Sequence, residues 1–178
     1  MKYAKKLNFS VPEFMYGLPR TTRIIAAEGS KARGRVLRHY VTRADREKIL
    51  SIFPPHITVT DKSIFVSHIG PITPHVHKYD LCVINLYLQA SDAETVFYDG
   101  EAVPLEDPEL SNIDTYIAFD ESLLTPTESF KAASGDIWVL NTGVPHAVVA
   151  NGACEDRWVV QVYLTIPFNV ALQQLGVS

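Results

Sequence analysis

Two stretches of the chain carry the residue types from which a metal site is built. The first is Gly70-Pro-Ile-Thr-Pro-His75-Val-His77-Lys-Tyr-Asp80, and the second is Gly135-Asp-Ile-Trp-Val-Leu-Asn141-Thr-Gly143-Val-Pro-His146. Histidines separated by one residue place both imidazoles on the same side of an extended strand. A third histidine, following a Gly-containing turn on a strand distant in sequence, becomes their neighbour once a β-barrel closes. Imidazole nitrogens from His75, His77 and His146 would then suit Fe, Zn, Cu or Ni. The alternative is that His75 and His77 are solvated loop residues and His146 a hydrogen-bonded core residue. Three histidines in this arrangement weigh towards the metal. His39, His56 and His68 have no such partners and are read as ordinary histidines.

The elements that must position these residues belong to one soluble domain. With 178 residues, 47% hydrophobic and 20% charged, the chain can bury a real core. No apolar run is long enough for a membrane span, and no apolar segment of secretory type follows the charged N-terminus. Cys82 in an apolar strand and Cys154 in a polar turn do not imply a disulfide framework. A cytoplasmic setting is expected. The net charge of −4 conceals an asymmetry, because residues 1–48 hold twelve of the 16 Lys and Arg against four of the 20 acids. The basic cluster Lys31-Ala-Arg33-Gly-Arg35-Val-Leu-Arg38 could meet nucleic-acid phosphates. No aromatic interleaving or nucleic-acid motif accompanies it, so packing of this basic segment on its own acidic barrel, or on a second subunit of a homodimer, is favoured.

Along the chain, Leu7–Val11 and Arg23–Ala26 read as short edge strands. Thr42 is the expected N-cap of a short amphipathic helix from Arg43 to Phe53, with Asp45 as the capping acid and Pro54-Pro55 as its stop. Beyond it the pattern is β. Ile57–Thr60 and Ser63–Ser67, separated by Asp61-Lys62, read as a hairpin. Strands are expected at Leu81–Leu88, Glu94–Tyr98, Thr115–Phe119, Ser129–Ala132, Asp136–Leu140, His146–Ala150 and Arg157–Thr165. An exposed acidic loop is expected over Glu101–Asn112, and a last helical turn or two over Phe168–Leu175. Residues 1–55 thus form a basic extension and helix packing on a barrel built from 56–178, all within one compact domain. Many short strands at near-regular spacing predict an all-β sandwich or barrel.

Strand parity adds candidates. In Leu81–Leu88, Cys82, Ile84, Leu86 and Leu88 share an apolar face, and Val83, Asn85 and Tyr87 share the other. From Arg157 onward, Arg157, Val159, Gln161 and Tyr163 alternate with the apolar set Trp158, Val160, Val162 and Leu164. A pocket lined by Arg157, Gln161, Asn85 and Tyr87 would produce this pattern. So would surface strands with their polar side in water.

Two resemblances follow from these residues. The second stretch resembles the second cupin motif, with Gly135, Gly143 and His146 in place, Asn141 where that motif has proline, and Asn151 one residue late. The first carries the cupin His-x-His at His75 and His77, but lacks the glutamate expected after it. The same region also resembles the 2-oxoglutarate/Fe(II) oxygenases, which share the double-stranded β-helix (jelly-roll) fold. His75 and His146 match that family's two histidines, and Arg157, eleven residues after His146, matches its arginine. Cys82-Val-Ile-Asn85-Leu-Tyr87-Leu and Glu94-Thr-Val-Phe-Tyr98 look like oxygenases of the small, virus- and bacteria-encoded type. The likeness covers roughly residues 65–165.

What the resemblance implies is an all-β double-stranded β-helix with a short N-terminal helix. It would bind Fe(II), or another divalent transition metal, at His75, His77 and His146. Arg157 would hold the remote carboxylate of 2-oxoglutarate, a bidentate task suited to guanidinium, with Asn85 and Tyr87 beside it. The departure is His77, which replaces the family's carboxylate ligand. Asp80, three residues on, would need a bulge to take its place. Metal-dependent dioxygenase chemistry on an unidentified small molecule is the first expectation. A non-catalytic barrel holding a small anion, or a cupin-type isomerase or lyase, stands beside it.

Overall fold

The computed structural model describes residues 1–19, 23–24, 34–57, 59–105, 116–150 and 157–177, with backbone only at 23–24, 34–38, 60–63 and 116. Eleven strands appear among these residues: β1 (Ala4–Lys6), β2 (Arg23–Ile24), β3 (Gly34–Tyr40), β4 (Val59–His77), β5 (Cys82–Gln89), β6 (Glu94–Gly100), β7 (Tyr116–Ala118), β8 (Leu124–Lys131), β9 (Ile137–Asn141), β10 (His146–Val149) and β11 (Trp158–Leu164). Two short helices accompany them, α1 (Arg43–Leu50) and α2 (Phe168–Gln174). The strands form one curled antiparallel sheet in the order β1-β9-β5-β11-β4-β10-β6-β8, with β3 and β7 also paired to β4 and β2 to β3.

β4 holds the sheet together. Its first half pairs with β11, Val66 opposite Val160, and its second half pairs with β10, His75 opposite His146. The strand passes from one half of the sheet to the other near Gly70-Pro71. There its register with β3 slips by one residue, between Val36↔Ile69 and Gly34↔Ile72. A proline that cannot donate and a glycine without a side chain suit such a bulge.

This continuous strand corrects the expected hairpin. Asp61-Lys62 is not a turn but part of β4, within a register slip against β11 between Ile64↔Val162 and Val59↔Leu164. The polar dipeptide is absorbed as a bulge, because β11 supplies partners on both sides of it. Leu7–Val11 is not a strand either, and the N-terminal strand is β1. The other expected strands appear within a few residues of their predicted bounds. Thr115, the segment 25–26, the acidic run Glu106–Glu109, Cys154 and residues 31–33 of the basic cluster lie outside the described residues.

Helix α1 begins where the capping residues place it: the Thr42 side-chain oxygen accepts from the Asp45 backbone N–H at 3.1 Å. The helix closes at Leu50, and tight turns carry the chain on to Phe53. Ile49 and Phe53 enter a large apolar cluster with Leu7, Met15, Cys82, Ile84, Leu86, Val160 and Val162. The N-terminal segment and both helices thus cover one face of β5, β9 and β11. Each fully buried Leu or Ile there contributes roughly 1.5–3 kcal/mol. The same cluster isolates the Cys82 thiol, which burial pushes up to about 12.

A second cluster lies on the other face. It joins Phe65, Val83, Tyr87, Trp138, Val159 and Tyr163 from one half of the sheet to Phe97, Phe130 and Val148 from the other. Because it unites the two halves, it is the interior of the curl. The two ends of the sheet are tied across it by Glu128 on β8. That carboxylate accepts from the backbone N–H groups of Lys2 (2.6 Å), Tyr3 (3.1 Å) and Ala4 (3.2 Å) at the start of β1.

Candidate metal centre

The three predicted histidines meet at one point. One ring nitrogen of each of His75, His77 and His146 lies within 4.8 Å of the others, and His75 and His146 are buried. The local fold explains the convergence. β10 lies against the second half of β4 with His146 opposite His75. The turn before β10 is fixed by Asn141 Oδ1, which accepts from the Gly143 N–H at 3.1 Å. Its Thr142 carbonyl accepts from the His77 backbone N–H at 2.9 Å, and the Thr142 hydroxyl donates to the Asp80 carbonyl. The turn that delivers His146 is therefore bonded directly to the end of the strand that delivers His75 and His77.

The ring chemistry favours coordination. His75 Nδ1 and His146 Nδ1 each lie 2.9 Å from a backbone carbonyl, those of Thr73 and Val144. A carbonyl only accepts, so each Nδ1 carries the proton and each Nε2 keeps its lone pair for a metal. Fixing the tautomer through the far nitrogen is how metal-ligating histidines are oriented. Burial holds the His146 pKa down to about 4, so the ring is neutral near pH 7, as a ligand must be. Ring centroids stand 4.3 Å apart for His75 and His146, 5.4 Å for His75 and His77, and 5.3 Å for His77 and His146.

No protein-family model matches the chain, and no curated protein matches it. The site therefore rests on its own geometry.

No carboxylate joins the triad among the described residues. Asp80 lies in the turn after β4, where no bulge carries it into the group. The donor set is three imidazoles, which carry no charge as metal ligands and would leave the full charge of a divalent cation to be met by an anionic co-ligand.

The other predicted residues come together deeper in the same interior. Arg157, Asn85, Tyr87 and Gln161 are all buried, at 3%, 4%, 0% and 6% exposure, so the polar faces of β5 and β11 do not meet water. Arg157 Nη2 donates to the Tyr87 hydroxyl and to Thr95 Oγ1, both at 2.9 Å. The line continues from Tyr163 Oη through Gln161 (3.1 Å) and from Gln161 to Asn85 (3.4 Å). Arg157 Nη1 is buried without a partner, and no carboxylate among the described residues pairs with this guanidinium. The guanidinium lies over the Tyr87 ring at 5.2 Å but has no carboxylate to balance its charge among the described residues, and an anion entering the interior would supply one.

Thr95, Phe97 and Tyr163 complete the setting and were not singled out as site residues by the sequence. Phe97 lies opposite His146, with their rings 5.9 Å apart, and Tyr163 stacks on His77 at 5.7 Å. Parity is the signal that could have found them: Thr95 and Phe97 share one face of β6, and Tyr163 shares the face of Arg157.

Proposed function

We propose that the chain is an Fe(II)-dependent dioxygenase on a double-stranded β-helix, with 2-oxoglutarate as co-substrate. Strand order supports the fold. One half of the curl runs β4 (first half)-β11-β5-β9, and the other runs β4 (second half)-β10-β6-β8. The chain alternates between these halves, changing sides at every step except from β6 to β8, as eight jelly-roll strands do.

The observation that carries the function is the placement of the histidine triad, with His75 and His146 buried and His77 half-buried, in the same interior as the buried Arg157 with its unsatisfied Nη1. Thr95 pairs with Val148 and Phe97 with His146. The guanidinium held on Thr95 is thus one two-residue strand step, roughly 7 Å, below the level of His146. A short dicarboxylate would suit that interval, with Arg157 Nη1 available to one carboxylate. His75, His77 and His146 would hold Fe(II), which supplies the oxygen chemistry when bound. Arg157 and the Tyr87 and Thr95 hydroxyls bind and orient the far carboxylate. The apolar walls of Phe65, Phe97 and Val159 exclude water, which strengthens that charge pairing.

The test is release of succinate from 2-oxoglutarate by iron-loaded protein, measured beside Arg157→Met. The proposal expects turnover in the wild type and a loss of at least tenfold in the variant. Iron retained with no 2-oxoglutarate dependence would overturn the co-substrate and favour cupin-type chemistry on the all-histidine set. A second reading, a non-catalytic barrel that captures a small anion, is favoured by Arg157 itself, whose free Nη1 calls for an anion with or without metal. Tight 2-oxoglutarate binding by metal-free protein, without turnover on iron loading, would select it.

A further inference from the structure

A line of aromatic rings runs from the metal centre to the surface. Tyr163 stacks on His77 at 5.7 Å, Phe65 meets Tyr163 edge-on at 5.8 Å, and Tyr40 lies 4.9 Å from Phe65. Exposure changes along the line: Tyr163 is 3% exposed, Phe65 8% and Tyr40 58%. The contacts follow from register. Tyr40 on β3 pairs directly with Phe65 on β4, Phe65 pairs with Gln161 on β11, and Tyr163 is the next residue on that face. Only one of the two terminal groups is a candidate metal ligand, and the other is a phenol in contact with water.

We infer that this ladder is a one-electron relay that discharges an over-oxidised metal centre to the surface. The inference rests on the reading of the histidine triad as a redox-active iron site. The oxidant is the iron centre itself after reaction with peroxide or dioxygen in the absence of substrate. One electron passes from the Tyr40 phenol through the Phe65 and Tyr163 rings and His77 to the metal, which is reduced by one electron. The Tyr40 phenolic proton leaves to solvent, and a neutral phenoxyl radical remains at Tyr40. Phe65 serves as a bridge and is not itself oxidised. The Tyr163 hydroxyl is turned away from solvent, donating to Gln161 Oε1 at 3.1 Å. Two such phenoxyls from two chains join through one C–C bond and re-aromatise to dityrosine. The device would spare the buried ligands from oxidation when substrate is missing.

The protein supplies its own control. Tyr79 is more exposed than Tyr40, at 67%, and stands outside the ladder. The experiment loads wild type, Tyr40→Phe and Phe65→Leu with Fe(II), removes unbound iron, measures iron per chain, and adds one equivalent of hydrogen peroxide. Tyrosyl radical is read by electron paramagnetic resonance and cross-linked tyrosine by peptide mass spectrometry. The relay predicts radical and cross-link at Tyr40, their loss in Tyr40→Phe with iron retained, and a several-fold fall in Phe65→Leu although Tyr40 remains present. Modification of Tyr79 as strong as that of Tyr40, or an unchanged yield in Phe65→Leu, would mark diffusible radicals and overturn the relay while leaving the metal site standing. Failure of wild type to retain iron would overturn both.

Discussion

Strands β5 and β11 have two faces that are built from the same backbone and do different work. The outer face presents Cys82, Ile84, Leu86, Val160, Val162 and Leu164 to the N-terminal segment and helices, and is wholly apolar. The inner face presents Asn85, Tyr87, Gln161 and Tyr163, with Arg157 just before β11, equally buried but joined by hydrogen bonds. Burial on the outer face is repaid by the hydrophobic effect alone. On the inner face polar groups are desolvated and one guanidinium nitrogen is left unsatisfied, which costs stability. One face thus stabilises the fold, and the other leaves a buried donor unmet.

This contrast can be broken from either side. Leu86→Ala, on the outer face, should lower unfolding stability by about 2–5 kcal/mol in chemical denaturation and leave iron stoichiometry of the folded fraction intact. Equal damage to iron retention would mean that the two faces are not separable.

Acid should act on the inner face. His146 has a folded pKa of about 4 against an ordinary value of 6.5. The unfolded chain therefore binds more protons between those values, so stability is full above pH 6.5 and falls as pH drops towards 4. Metal-free protein should lose a few kcal/mol over that window, and Leu86→Ala should shift the stability curve down without changing its slope. His146→Gln should flatten it, and an unaltered slope in that variant would contradict the burial of a neutral ring.

Arg157→Met removes a buried cation that no carboxylate among the described residues balances, and replaces it with a side chain of similar length. Its thermal stability without ligand should match or exceed that of wild type, while anion affinity is lost. A clear fall in stability would show that Arg157 is structural and not held ready for a ligand.

The most local effect is expected at Glu128. The Glu128→Gln variant weakens the hold on the N–H groups of Lys2, Tyr3 and Ala4. A loss on the order of 1–2 kcal/mol is expected, with faster hydrogen exchange confined to β1.

The legible parts of this molecule were those with a period. Alternation in β5 and β11 separates their two faces, though it leaves open whether the polar one lines a pocket or meets water, and Thr42 with Asp45 marks the start of α1. His-x-His and the Gly143-containing turn before His146 gave the triad, because parity fixes which side of a strand a ring faces. Less was legible where tertiary pairing overrode local signals. Asp61-Lys62 has the composition of a turn, yet β11 holds it within β4. β3, with Arg and His among its apolar residues, carries no clean alternation and is fixed by its pairing to β4. The orphaned Nη1 of Arg157 and the ladder from Tyr40 to His77 are matters of three-dimensional contact, which no spacing along the chain encodes.

The central claim is that His75, His77 and His146 hold a metal. It is tested most directly by iron content per chain after anaerobic reconstitution with Fe(II) and desalting, for wild type beside His146→Ala. Wild type should retain about one iron per chain and the variant almost none. Equal iron in both proteins, or none in either, would contradict it.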